Sequence, residues 1–243
     1  MKFAVIGGTG LIGSQVVRKL NAAGHEAVPH SHSTGVDVIT GQGLEEAVAG
    51  ADVVINLTNS PTFDNASLAF FRSSMDNLLA ACRKGRVGHV VILSIVGVEQ
   101  VPGLDYYRAK VLQEDILKAG PIPYSIVRAT QFMEFIDAVM SEGTEGDTVH
   151  LPATPLQPIA AQDVSDAVAE VAEGPPLNGT LDIAGPDVFP LDELGRITLR
   201  AHPDGRTVIT DDGAGMFAAV PGDVLTADSG TRTAPTHYAD WLS

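Results

Sequence analysis

Tyr106 and Lys110 stand four residues apart in the stretch Leu104-Asp105-Tyr106-Tyr107-Arg108-Ala109-Lys110. On a helix this spacing puts a phenol and an ammonium on one face. A positive charge beside the ring favours the phenolate, so the pair predicts a tyrosine pKa drawn down from about 10 toward the range of a general acid. Ser94 lies upstream at the end of the apolar run 87–94. If that run is a strand, Ser94 sits at the carboxyl edge of a sheet, where open α/β folds bind their ligands.

A second constellation opens the chain. Gly7-Gly8-Thr9-Gly10-Leu11-Ile12-Gly13 follows the apolar run Phe3–Ile6 and leads into an amphipathic stretch. Gly7, Gly10 and Gly13 at the junction of a strand and a helix permit a tight turn and a close approach of backbone to a pyrophosphate. The charge of that group would then face the first-turn N–H groups around Leu11, Ile12 and Gly13, with the Thr9 hydroxyl as a further donor. The reading is a dinucleotide site. The end of the second strand, His30-Ser31-His32-Ser33-Thr34, carries no Asp or Glu to accept bonds from an adenosine ribose. Its hydroxyls and histidines favour NADP(H) over NAD(H). His30 and His32 are expected on one face of a strand; with no third ligand evident they read as solvated histidines, and no metal site is expected.

These residues need a scaffold that brings strand ends together. Strands are expected at 3–6, 27–30, 51–57, 87–94, 124–128 and 180–183. Helices are expected at 12–23, 44–49, 66–83, 106–119 closed by Gly120, 132–140, 163–173 and 191–200. Alternating strands and helices imply parallel pairing and right-handed crossovers, hence an α/β fold of the Rossmann type. It is a doubly wound parallel sheet with a small C-terminal substrate lobe. The expected division is a dinucleotide-binding core over 1–131 and a smaller substrate-binding part over 132–243, interleaved with the last strand and helix of the core. Segment 143–158 is rich in glycine, proline and polar residues, and 201–235 has few apolar anchors, so no element is assigned to either.

Composition narrows the function. The chain has 243 residues and a net charge of −15, from 30 acidic and 15 basic side chains. A phosphate backbone would be repelled over most of such a surface, so nucleic acid is not an expected partner. Apolar runs are broken well short of the roughly 20 residues a membrane helix needs. Lys2 and about four apolar residues make too short a core for a signal peptide. Cys82 is the only cysteine. The expectation is a cytoplasmic protein with a small-molecule substrate, as a monomer or homodimer.

The quoted motifs, with Ser94-Ile95-Val96-Gly97, the run Pro123–Glu134 and the segments Pro158–Val164, Gly179–Leu181 and Ala184–Pro186, resemble the short-chain dehydrogenase/reductase superfamily. Within it they are most similar to the atypical NmrA-like, NAD(P)-binding branch, over roughly residues 1–200. The resemblance implies that Tyr106 exchanges a proton with the substrate oxygen, that Lys110 holds the nicotinamide ribose and tunes Tyr106, and that Ser94 binds the substrate oxygen. It also implies that Asp37 and Val38 contact adenine, that Asn56, Leu57 and Thr58 line the ribose side, and that Ala129, Thr130 and Phe132 lie beside the nicotinamide. The chain departs from the family in having Phe71 where many members place a proton-relay Asn, with Asn77 further along the same helix. Residues 128–130 read Arg-Ala-Thr instead of Arg-Pro-Gly.

The expected function is an NADP(H)-dependent reductase acting on a small apolar carbonyl, quinone or related electrophile. Its pocket is expected among Phe132, Met133, Phe135, Leu156 and Phe217. The alternative is an NADP(H)-binding redox sensor without turnover. An epimerase or dehydratase is disfavoured by the scarcity of Arg and Lys after Thr130.

Overall fold

The computed structural model describes residues 1–243. The first half runs β1 Lys2–Ile6, α1 Leu11–Ala22, β2 Glu26–His30, α2 Leu44–Val48, β3 Val53–Asn56, α3 Ala66–Gly85, β4 His89–Ile95, α4 Asp105–Ala119 and β5 Tyr124–Ala129. Then come α5 Ile136–Glu142, β6 Thr144–Glu145, β7 Thr148–Leu151, β8 Pro155–Leu156, α6 Ala161–Glu173 and β9 Gly179–Ala184. The chain ends with β10 Phe189–Pro190, α7 Leu191–Ala201, β11 Thr207–Thr210, β12 Arg232–Thr233 and α8 Tyr238–Trp241. No helix is long and apolar enough to cross a membrane.

The fold is a Rossmann-type α/β fold built on a mostly parallel seven-stranded sheet in the order β12-β9-β5-β4-β3-β1-β2. Pairings β1–β2, β1–β3, β3–β4 and β9–β12 are parallel. The strand order reverses at β1 and β3, which makes their carboxyl ends the switch point of the sheet. Residues 36–38 form no strand beyond β2. Asp37 instead folds back on itself, its Oδ1 accepting the N–H groups of Ile39 at 2.8 Å and Thr40 at 3.3 Å.

The chain divides into two compact units. Unit 1 comprises Met1–Ser94, Asp105–Arg128 and Val164–Leu181; unit 2 comprises Ile95–Leu104, Ala129–Asp163 and Asp182–Ser243. In unit 1 the period-2 alternation of the strands decides the core. Ala4 and Ile6 of β1, Val54 of β3 and Val90 and Ile92 of β4 join Leu44, Val48, Met75, Leu78, Leu79, Cys82 and Leu117 from α2, α3 and α4. Burial pushes the Cys82 thiol up to about 12. Helices α1 and α6 meet through the Lys19–Asp166 ion pair.

Unit 2 holds regular structure in both segments to which the sequence assigns none. Gly146, at φ +65°, turns β6 back against β7, and β11 pairs with β7 in parallel from Thr207↔Thr148 to Thr210↔Leu151. Helix α7 lies against them, and a Cβ on Gly195 would stand 2.7 Å from Leu151 Cδ1. The sequence hides β11 because it is an edge strand whose apolar residues are poorly buried: Ile209 is 44% exposed. The helix expected from 132 to 140 starts late, as a 3-10 turn over Met133–Phe135 followed by α5.

Candidate active site

The glycine turn lies at the carboxyl end of β1, where the sheet order reverses. Gly7 has φ +83°, and a Cβ there would meet the Leu57 carbonyl carbon at 2.7 Å and Thr58 N at 2.9 Å. A Cβ on Gly13 would lie 2.2 Å from Gly7 O. Both glycines therefore let backbones touch. Gly10 differs: it has an ordinary φ of −78°, and its Cβ would meet only Gly7 O, at 3.4 Å. The space beside Gly10 is thus open above the start of α1. That helix has no side-chain N-cap and no acidic residue in its first turn. Uncapped N–H groups, a glycine surface and no competing carboxylate suit a pyrophosphate. Leu57 and Thr58 follow β3 beside this turn, with Asn56 Oδ1 accepting Thr58 N–H at 3.1 Å and Thr58 Oγ1–H at 2.8 Å.

At the end of β2 the structure corrects one expectation: His30 and His32 do not share a strand face. β2 stops at His30, and Ser31 opens a 3-10 turn over His32–Thr34. Ser31 N–H donates to Thr34 Oγ1 at 2.8 Å, and the Ser31 and Ser33 hydroxyls bond each other at 2.8 Å. Burial, aided by the Lys2 charge, holds His30 below the usual imidazole value, so at neutral pH it is an uncharged donor.

Tyr106 lies in the first turn of α4 and Lys110 one turn on, both buried. The expected depression of the tyrosine is corrected. Burial pushes Tyr106 up to about 12 against the opposing Asn59 hydrogen bond, because little water reaches the phenol and no charge offsets that loss. Its hydroxyl donates to Asn59 Oδ1 at 2.6 Å, and the exposed Phe63 ring packs on it with centroids 4.8 Å apart. Lys110 Nζ donates to Leu93 O at 2.7 Å and to Gln113 Oε1, and stands 4.8 Å over the Phe71 ring. Burial pulls Lys110 down to about 7, with the Glu114 charge opposing. Phe71, at the relay position, thus shields the ammonium, and Asn77 ties α3 to the loop after β2 by donating to Val38 O and Ile39 O.

Ser94 is 4% exposed, and its enclosed Oγ makes no well-formed hydrogen bond, to Tyr106 or elsewhere. It is near enough to Glu114 to help keep that carboxyl ionised. Burial of Glu114 works the other way, but the hydrogen bonds from Arg128 and Lys118, with the nearby Ser94 hydroxyl, prevail and hold its pKa below the usual value.

In unit 2, Ala129 O accepts Val96 N–H at 3.1 Å, and Thr130 is tied at both ends: its N–H to Ile183 O at 3.2 Å, its Oγ1 to Gly185 N–H at 3.3 Å. Phe132 and Phe135 pair with centroids 5.4 Å apart, and Phe135 is 50% exposed. Met133 and Leu156 are buried in the unit's core. Phe217 lines a cavity of about 20 Å³ with Val139, His150 and Met216. That is room for about one water, far below the roughly 300–1,000 Å³ of a ligand pocket. Asn59, Phe63 and Gln113 are the site residues that sequence reasoning missed. Asn59 reaches Tyr106 across 47 residues of chain, and no local pattern marks it.

A family model described as NAD(P)H-binding matches residues 7–175. No curated protein matches the chain in sequence. Among solved structures, a nucleoside-diphosphate-sugar epimerase from Staphylococcus aureus superposes with TM-score 0.77 at 15% identity, covering 100% of this chain and 99% of that one. A short-chain dehydrogenase/reductase superfamily protein from Agrobacterium tumefaciens with bound NAD gives 0.75 at 15%, covering 100% and 95%. A triphenylmethane reductase from Citrobacter sp. complexed with NADP(H) gives 0.66 at 19%, covering 87% and 79%. These likenesses establish the shared fold. The match over most of the chain, on a glycine turn whose geometry suits a pyrophosphate, establishes the family: the protein belongs to the NAD(P)H-binding family.

Proposed function

We propose that the protein is an NADP(H)-dependent oxidoreductase of the short-chain dehydrogenase/reductase type, within the NmrA-like branch, that reduces a small apolar carbonyl, quinone or related electrophile. The observation that carries this reading is the buried, protonated Tyr106 hydroxyl at a site whose other end is the Gly7–Gly13 turn. Held at the Gly7–Gly13 turn, NADPH would supply the hydride for the electrophilic carbon. Tyr106 gives its proton to the oxygen as negative charge develops there, and the resulting phenolate recovers a proton from solvent. With its pKa pushed up to about 12, Tyr106 holds its proton at neutral pH, the state that reduction requires. Lys110, bound to Leu93 O and Gln113, keeps this end of α4 fixed against β4. Ser94 belongs to the proposed set through its position near the carboxyl end of β4, beside Glu114. In unit 2, the paired rings of Phe132 and Phe135 leave apolar surface exposed. The absence of a carboxylate in Ser31–Thr34 supports NADP(H) over NAD(H). A single buried cysteine is in keeping with a cytoplasmic setting.

One observation favours a second reading, a sensor that binds NADP(H) without turnover: Phe71 fills the relay position and caps Lys110. A panel of quinones, enones and aldehydes, followed by NADPH oxidation, separates the two. Substrate-dependent oxidation is the expected result; tight NADPH binding with no oxidation across the panel would establish the sensor. Fluorescence titration should show NADPH binding more tightly than NADH, and the reverse order would overturn the assignment of Ser31–Thr34.

A further inference from the structure

The Asn59 side chain has a fixed orientation and an unused donor. Its Oδ1 accepts the Ser60 backbone N–H at 3.0 Å as well as the Tyr106 hydroxyl at 2.6 Å. A backbone N–H can only donate, so the atom facing Ser60 must be the amide oxygen, which settles which way the amide points. Nδ2 then carries two hydrogens directed away from both partners. Asn59 is solvent-exposed, and no hydrogen bond occupies that nitrogen. The loop behind it is braced: Asn56 Oδ1 holds Thr58, while Ser67 Oγ holds Ser60 Oγ at 3.0 Å and Thr62 O at 2.7 Å. Phe63, 61% exposed, covers the other side of the Tyr106 ring. Ser94 Oγ, by contrast, is enclosed.

From this geometry we propose that Asn59 is a catalytic residue of the same site: its Oδ1 holds the Tyr106 hydroxyl hydrogen until substrate binds, and its Nδ2–H donates a hydrogen bond to the carbonyl oxygen of the substrate, to which the single Tyr106 O–H then turns. This rests on the oxidoreductase reading above. The substrate it selects has a carbonyl oxygen free to accept two hydrogen bonds, one from Tyr106 and one from Asn59, as aldehydes, ketones and quinones do. The donor gains strength as negative charge grows on that oxygen, so its effect falls on the chemical step.

The test compares the full chain with its Asn59→Ala and Asn59→Asp variants in NADPH oxidation, using menadione and benzaldehyde as probes beside the wider panel. NADPH affinity by fluorescence titration reports whether each variant is folded. Asn59→Ala should lower kcat about a hundredfold with NADPH affinity unchanged. Asn59→Asp retains an acceptor for Tyr106 and Ser60 but loses the N–H, and should be similarly slow at neutral pH. Its kcat should then recover as the pH falls and the introduced carboxyl takes up a proton, becoming a donor again. Wild-type kcat in either variant, a change confined to KM, or no acid recovery in Asn59→Asp would overturn the proposal while leaving the oxidoreductase reading intact. A wild-type chain that oxidises NADPH with no member of the panel overturns both.

Discussion

The Tyr106 phenol donates to an amide oxygen and is kept protonated by burial, while Lys110 spends its hydrogens on Leu93 O and Gln113. The two side chains share a helix face, as their spacing requires, without setting each other's ionisation. Tyr106→Phe removes the hydroxyl and little else. It should reduce kcat for NADPH oxidation by about a hundred- to ten-thousand-fold, leaving NADPH affinity within a factor of about two. Unchanged turnover would remove Tyr106 from the chemistry. The pair was legible in the sequence because i, i+4 spacing survives any detail of the fold. Its electrostatics were not legible, because they depend on the water excluded by Phe63 and Phe71.

Among the elements, the β1–α1 turn separates two kinds of glycine. Gly13 is needed for packing, since its Cβ would overlap Gly7 O, whereas Gly10 has room for a methyl group at the place proposed for the pyrophosphate. Gly13→Ala should therefore lower both melting temperature and NADPH affinity. Gly10→Ala should weaken NADPH binding while the melting temperature hardly moves, and equal losses of stability in the two variants would contradict the assignment. Strand β5 is tied to α4 by Arg128, whose Nε and Nη2 donate to Glu114 Oε1 at 2.8 Å and Oε2 at 2.7 Å. Glu114→Gln leaves a mostly buried guanidinium without its countercharge, and chemical denaturation should show a loss of about 3–5 kcal/mol. The strands and long helices of unit 1 could be read from the sequence within a few residues because one face of each is strongly apolar. β11 could not, because Ile209 faces water.

At the scale of the whole molecule, stability should depend on pH through His89. This ring is 3% exposed and burial pulls its pKa below the usual 6.5. Ser125 Oγ accepts Leu177 N–H at 3.0 Å and is hydrogen-bonded to His89 Nε2 at 2.8 Å, while His89 Nδ1 is enclosed without a partner. The unfolded chain takes up the proton near pH 6.5 and the folded chain only at lower pH. This contribution is therefore fully present above 6.5 and is lost as the pH falls through the folded value. His89→Gln should flatten the acid side of the curve of melting temperature against pH, and an identical curve would rule the residue out. The composition of the two units has a further consequence, for synthesis. Unit 1 includes Val164–Leu181 as well as Met1–Ser94 and Asp105–Arg128, so a nascent chain has already made all of unit 2's first two segments before unit 1 can close. Segment 164–181 therefore joins unit 1 only after those stretches exist, and no single cut in the chain releases unit 1 as a separate piece.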